Sequence, residues 1–511
     1  MKKILVMALT IALIAMCFVA PIASAAEAPT VITMLAPFYA EQPPKGTTGE
    51  EGNPVLEAVE ALANVDLQIT WAPQGDYVQK FNTVLASADL PDIIIVTSGL
   101  TTNQTYLDYA AQGIFWDLTD KIAERPLLRD ELTTEYSRTI TAVGGRNYLV
   151  PFVVASARVA MLYRADWLEN LGMEPPTTVA EYYEMVKAFT ENDPDGNGIK
   201  DTYGFAYIDD ANKELNFAGL DTLAVANGAP NHWGYDAEGK ILPYFMFDEY
   251  VDTLKLFKDM FDNGYMNNDF ALIKGNDKHL PLGEGKAGSM FTSATNSAYP
   301  GGKYDALRDN ITPTAEIARQ YLFTLPSGEQ VINSTLSMGG VGGLLITKAS
   351  VKDEAKVDAI LDFLEAVGDT ENGGAKLVSI GVEDLHYTDN GDGTITITPE
   401  QHKLRVDDSS AEVFASIIPR RVVSANFGQP YTVQDLINLE TVANESYAVP
   451  DYSVGKFDAE ELSLDASLAL IISDARVQFI MGQIDEAGFK AAVQEWVDQG
   501  GDILIEAVNA E

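Results

Sequence analysis

Residues 163–205 read YRADWLENLGMEPPTTVAEYYEMVKAFTENDPDGNGIKDTYGF. The stretch holds a strand end, a short helix closed by Gly172, a Pro175-Pro176 turn, a second helix and a loop crowded with oxygen donors. Thr178 and Glu181 form a capping box for the second helix, and Val179, Tyr182, Val186 and Phe189 repeat at helical spacing. In the loop, Asp193, Asp195, Asn197 and Asp201 alternate with Pro194, Gly196 and Gly198. Donors at positions 1, 3, 5, 7 and 9 are how a short loop wraps oxygens around a calcium ion. The Ile199 carbonyl takes position 7, and Gly198 falls on the sharp turn at position 6. Gly204 stands at position 12, where an EF-hand carries a bidentate glutamate, so the loop is EF-hand-like and no more. The same residue types also build plain Asp/Asn/Gly turns. A cation here would pin the helix exit to the next strand, since a catalytic metal needs an open position facing substrate.

Upstream of this stretch the chain alternates strand and helix. Residues 30–35 are β-rich, and Asn53 caps a helix with Pro54 at its first position and Val55, Val59, Leu62 and Val65 on one stripe. Residues 67–71 alternate as a strand, and 77–88 form a helix with Val78, Phe81, Val84 and Leu85 inward. The apolar run at 91–97 is a strand buried on both faces. This order predicts an α/β lobe with a largely parallel sheet. Thr97, Ser98 and Gly99 then sit at a strand's carboxyl end, where open α/β sheets bind ligands. Residues 147–152 and 158–163 read as strands leading out of this lobe.

Downstream, 216–300 reads as a mostly helical second lobe. Its glycines at 283–288 lack the GxxxxGK[ST] pattern of a phosphate loop. A Gly-rich loop feeding a strand over 336–346, an amphipathic helix at 351–367, an Asp/Asn-Gly hairpin at 387–399 and helices from 463 onward complete the chain.

A chain of 511 residues implies two or more domains. Its formal net charge of −41 excludes nucleic acid as a partner, because phosphate binding needs a basic surface. Lys2 and Lys3, the apolar run 4–20 and Ala23-Ser24-Ala25 form a secretory signal over residues 1–25. The one cysteine, Cys17, lies inside it, so the mature chain holds no disulfide. No later run reaches the about 18 apolar residues of a membrane helix. The histidines, His232, His279, His386 and His402, are scattered and form no metal or nucleophile pattern. With 75 acidic residues, any carboxylate pair is uninformative about hydrolysis.

Several of these segments together resemble the extracellular solute-binding proteins of bacterial ABC importers, in the carbohydrate-binding group and its long Gram-positive members. The segments are 86–93 (ASADLPDI), 163–168 (YRADWL), 193–204 (DPDGNGIKDTYG), 285–288 (GKAG) and Gly500-Gly501. The calcium loop is similar to that of alginate-type binding proteins, with Thr202 where those carry a further acid. The resemblance implies an α/β, two-lobed periplasmic-binding-protein-like fold with a multiply crossed hinge and a ligand cleft between lobes. The expected division is 1–25 signal peptide, 26–154 first lobe, 155–334 second lobe, 335–384 return to the first and 385–511 second lobe again.

The resemblance also implies a non-enzymatic, monomeric protein that carries an oligosaccharide, or another small solute, to membrane permease subunits. It further implies structural Ca2+ at Asp193, Asp195, Asn197, Ile199 and Asp201. Candidate ligand contacts by position are Phe38, Ser98, Phe152, Arg164, Trp233, Ser293 and Tyr299. Packing is the alternative for each: hinge packing for Phe152, an ion pair with Asp166 for Arg164. Trp233 is the foremost stacking candidate because its neighbours in sequence are polar. Members of this group are often lipidated on a cysteine such as Cys17. Met16 stands where such a cysteine has a small neighbour, so cleavage near Ala25 is the expected alternative.

Overall fold

The structure is a computed structural model. It describes residues 28–510 apart from 39–41, 49–51, 88, 98–99, 101–103, 132–141, 144, 154–155, 209–218, 274, 299–302, 335–340, 370–371, 392–393, 410–432 and 455. In chain order the elements that organise the first unit begin with β1 (Thr30–Phe38), α1 (Pro54–Ala63), β2 (Val65–Pro73), β3 (Ile93–Val96) and β4 (Leu149–Val153). The second unit follows with β5 (Val159–Arg164), α2 (Val179–Glu191), β6 (Tyr203–Phe205), α3 (Leu220–Ala226), β7 (Ala287–Ser293), β8 (Ile317–Gln320) and β9 (Gln330–Asn333). The chain then returns with β10 (Val341–Ile346), α4 (Glu354–Gly368) and α5 (Pro399–Ser409). It closes with α6 (Val433–Ala443), α7 (Ala459–Ile480) and α8 (Glu486–Trp496).

The first sheet has the order β2-β1-β3-β10-β4. β1 pairs parallel with β2 and β3, as the strand–helix–strand alternation requires. β10 runs antiparallel to both β3 and β4, so the sheet is mixed rather than largely parallel. The difference arises because β10 enters from the second unit and not through a helical crossover on the same sheet. Ile93, Ile94, Ile95 and Val96 are fully buried, as the continuous apolar run predicts. The helix Tyr77–Leu85 buries Tyr77, Phe81 and Leu85, one stripe at four-residue spacing. Val78, expected inward, flanks that stripe and is 48% exposed.

The second sheet has the order β8-β5-β7-β6. β5 is antiparallel to β7 and β8, and β7 is parallel to β6. α2 packs across it with Val179, Tyr182, Val186 and Phe189 buried, and its capping box closes as expected: the Glu181 N–H donates to Thr178 Oγ1 at 3.2 Å. The glycine-rich run before 290 feeds β7. A Cβ on Gly288 would sit 2.1 Å from the Phe189 ring, so only glycine lets the helix settle on this strand. The helices α7 and α8 and the segment Asp502–Asn509 bury Phe479, Phe489, Trp496 and Leu504 in the same core.

The chain passes between the units three times: from β4 to β5, from β9 to β10, and from α5 to α6. The hairpin and α5 lie against the first unit, whereas the sequence reading placed 385–511 wholly with the second. Lys376 pairs with Asp389 at 3.2 Å, His386 Nε2 meets Asp408 at 3.2 Å, and the Lys45 N–H donates to the Asp407 carbonyl at 3.2 Å. Asn53 also donates its amide to the Asp408 carbonyl, fixing α5 at the start of α1. Turn chemistry identifies a hairpin but not the surface it packs on.

Candidate functional site

The acidic loop begins where α2 ends. Asp193, Gly196 and Gly198 all take positive φ (50°, 69° and 80°), curling the loop back on itself. Gly198 N–H donates to Asp193 Oδ2 at 3.0 Å, and Asn197 N–H to Asp195 Oδ1 at 3.3 Å. The Asn197 amide donates to Asp195 Oδ2 at 2.8 Å and to Asp201 Oδ1 at 3.2 Å. It places the positive end of a dipole between two carboxylates. Asp193 Oδ1 is buried and has no hydrogen-bond partner. Burial, then Asp193 and Asp201 beside it, push the Asp195 carboxyl above its ordinary value. Crowded carboxylates and an orphaned buried oxygen are what a cation would relieve.

The loop is nonetheless an incomplete cage. Among the described residues no three His, Cys, Asp or Glu side chains converge as a metal cluster. Rotating the Asn197 amide would present its oxygen instead of its nitrogen, and the Ile199 carbonyl adds a backbone donor. Position 12 is closed to any acid: a Cβ on Gly204 would lie 2.2 Å from the Val186 carbonyl oxygen. Here the backbone of β6 presses on α2. Thr202 Oγ1, at the position where the resemblance leads one to look for a further acid, donates inward to the Phe189 carbonyl at 2.9 Å. Asn170 donates to the Pro194 carbonyl at 2.9 Å, so the loop also ties the short helix Ala165–Leu171 to the unit.

Described residues flanking the passages are joined by hydrogen bonds between distant segments. Ser156, on the first, donates from its N–H (2.8 Å) and its hydroxyl (3.2 Å) to Glu445 Oε1. Asn231 Nδ2 donates to the carbonyls of Ser334 on the second passage and Val449 beyond the third, both at 2.9 Å. Thr222 Oγ1 donates to Asn333 Oδ1 at 2.8 Å in the same buried patch. Sequence patterning missed this patch, because isolated Asn, Thr and Ser residues carry no periodic signal.

Phe38 ends β1, half-buried, and Ser293 ends β7 with its hydroxyl 2.9 Å from Thr295 Oγ1. Ser293 pairs in register with Val159, the first strand residue after the first passage, so it lies on the side facing the other unit. Phe152 stands in β4 opposite Gly342, beside the same passage. Ser98 and Tyr299 lie outside the described residues.

Two candidates are corrected. Arg164 is only 2% exposed, forks onto Asp166 at 2.8 and 2.6 Å, and lies 4.5 Å from the Trp167 ring centroid. It pairs with Ile317 and sits at the end of β5 remote from the passage, so it braces the sheet. Trp233 is 5% exposed and packs against Phe457 (centroids 5.6 Å apart) and Trp496 (6.2 Å). Polar neighbours in sequence misled the reading: Asn231 turns into the hinge patch while the indole turns into the core.

Asp92, at the start of the apolar run 91–97, organises the first unit. Its carboxylate accepts from Lys356 Nζ at 2.8 Å, Thr33 N–H at 2.9 Å, Thr33 Oγ1 at 3.1 Å and the Ser350 hydroxyl. Burial alone would raise its pKa, but Lys356, Ser350 and Thr33 outweigh that and hold it below the usual carboxylate range.

Residues 46–373, spanning both units and two of the passages, match the family described as bacterial extracellular solute-binding protein. The chain belongs to this family. This solute-binding protein is 30% identical over 497 residues to lipoprotein LipO of Bacillus subtilis (strain 168), covering 95% of this chain and 93% of the relative. It is 30% identical over 481 residues to the polygalacturonan/rhamnogalacturonan-binding protein YtcQ of the same organism, covering 93% and 90%. Among solved structures, the alginate-binding protein AlgQ2, determined without calcium ion, superposes with a TM-score of 0.68 over 94% of this chain and 97% of that one, at 17% identity. The two-lobed α/β architecture of the solute-binding protein is therefore shared across most of its length. Among its described residues no helix is long and apolar enough to cross a membrane.

Proposed function

We propose that this extracellular solute-binding protein captures an oligosaccharide between its two α/β units and delivers it to the membrane permease of an ABC importer. It does so as a monomer and without chemical turnover. The observation that carries the reading is the hinge: Ser156 and Ser334, which flank the first two passages, are tied by buried polar contacts to Glu445 and Asn231, with the ends of β1 and β7 on the side where the units meet. The name of the relative YtcQ supports a carbohydrate as the solute. The proposed lobes are 26–154 with 335–409, and the remainder of the mature chain after residues 1–25 are removed. Phe38, Phe152 and Ser293 belong to the cleft, together with Ser98 and Tyr299.

Calcium is the proposed ligand of Asp193, Asp195, Asn197, Asp201 and the Ile199 carbonyl, where it fixes the second lobe. Raising free calcium to a hundred times its dissociation constant is expected to stabilise the fold by about 2.7 kcal/mol. A calcium titration after chelation, followed by thermal melting, reads this. Asp193→Ala should abolish the shift, and equal melting with and without calcium would remove the metal from the proposal.

The solute is tested by a thermal-shift panel of oligosaccharides, peptides and amino acids on calcium-loaded protein. Stabilisation by an oligosaccharide that is recovered intact is the expected outcome. Response to peptides alone, or cleavage of the glycan, would count against it.

A further inference from the structure

One helix serves both units. α7 lays Leu464, Leu468, Ile471, Ile472, Ala475 and Phe479 into the core of the second unit. These positions recur at three- and four-residue steps and form a single stripe. Leu462 does not belong to it. It precedes Leu464 by two residues and so stands about 200° away from it around the helix axis. A leucine on that side ordinarily faces water, as Leu470 does two residues after Leu468, at 54% exposed. Leu462 is instead half-buried and packs against the core of the first unit. α7 meets that unit at the helix Gln104–Ala111, which turns Tyr106, Leu107 and Ala110 into the same core.

This contact differs in kind from the three passages. The passages are continuous chain and stay joined in every arrangement of the units. Leu462 touches the first unit by packing alone and can come away. The turn that carries it is set firmly on the second unit. The Asp458 carboxylate accepts from the N–H groups of Glu460 and Glu461, both at 2.9 Å, and Glu461 Oε2 accepts from the Asp458 N–H at 2.9 Å. Phe457, just before this cap, packs on Trp233 with ring centroids 5.6 Å apart. A rigid turn does not follow the first unit when the units separate. Separation therefore strips Leu462 from its partners and returns apolar surface to water, which is unfavourable.

We propose that Leu462 is a latch between the units, which holds them in the arrangement of this structure when no solute is bound. A solute that needs a different arrangement must release the latch. Its apparent affinity is then weakened in proportion to the scarcity of molecules already released.

With residues 1–25 removed the chain has no cysteine, so Thr70→Cys and Glu184→Cys, both at exposed positions, put one spin label on each unit. Double electron–electron resonance without ligand compares this labelled parent with Leu462→Met, Leu462→Ala and Leu462→Asp in the same background. The parent and Leu462→Met should give one main distance that matches the structure. Leu462→Ala should enlarge the population at other distances about tenfold, and Leu462→Asp further, with circular dichroism unchanged. The same distribution in all four proteins would overturn the latch, and so would a parent distance that departs from the structure. Loss of fold in Leu462→Asp with Leu462→Ala like the parent would assign Leu462 to packing alone and overturn it too. No ligand enters the measurement, so its outcome is independent of the carbohydrate reading.

Discussion

Replacing Asp92 by Asn is expected to cost the first unit about 3–5 kcal/mol, the range for removing one partner of a buried, hydrogen-bonded ion pair. The Asp92 side chain is 1% exposed, and it joins three separate pieces of chain: Thr33 in β1, Ser350 before α4 and Lys356 within it. The asparagine keeps the shape but leaves Lys356 without its countercharge and turns acceptors into a donor facing Thr33 and Ser350. Lys356→Met should be similarly damaging, because it leaves a buried carboxylate unpaired. The double variant should recover part of the loss, which a double-mutant cycle of chemical unfolding reads. The pH dependence has a definite sign. The folded-state pKa of Asp92 is lowered, so its contribution is present above the unfolded carboxylate value of about 3.9 and is lost as pH falls through the folded one. Wild type and Asp92→Asn should therefore converge in stability in strong acid. Equal stability at neutral pH would show that the cluster contributes nothing.

The second large effect concerns Trp233. Truncation to Ala should destabilise the second unit by about 3–5 kcal/mol, the range for deleting a large buried aromatic. The indole fills the space between Phe457 and Trp496, and its loss opens a void that Phe245, itself 5.0 Å from Trp496, cannot fill alone. Glycan affinity, measured well below the melting temperature, should stay within a few-fold of wild type. A sugar platform would give the reverse: affinity lost, melting kept. The paired measurement separates the two roles, which a binding assay alone would confuse through partial unfolding.

Elements with a strong period were legible before any coordinates. The stripe Val179, Tyr182, Val186 and Phe189, the strand run at Ile93–Val96 and the capping box at Thr178 all follow from local chemistry. The acidic loop was legible as a tight turn, where Asp193, Gly196 and Gly198 all take positive φ. What escaped were features made by distant segments meeting. Trp233 has polar neighbours along the chain and aromatic ones across it. Arg164 reads as a cleft residue until its strand is seen to run away from the hinge. Asn231, Asn333 and Glu445 take partners far away in sequence, Ser334, Thr222 and Ser156.

The antiparallel strand β10 has a consequence for how the protein matures after it crosses the membrane. β4 pairs, among the described residues, with β10 alone, and β3 has β10 along its outer edge. Both must wait for residues 341–346, which emerge some two hundred residues later than β4. Until then the first unit exposes an apolar strand edge, the kind that invites pairing with other chains. The sheet of the second unit is complete by residue 320 and needs nothing from the return segment. Folding during export should thus run from the middle of the chain outward, with the N-terminal third finishing late and most in need of a chaperone.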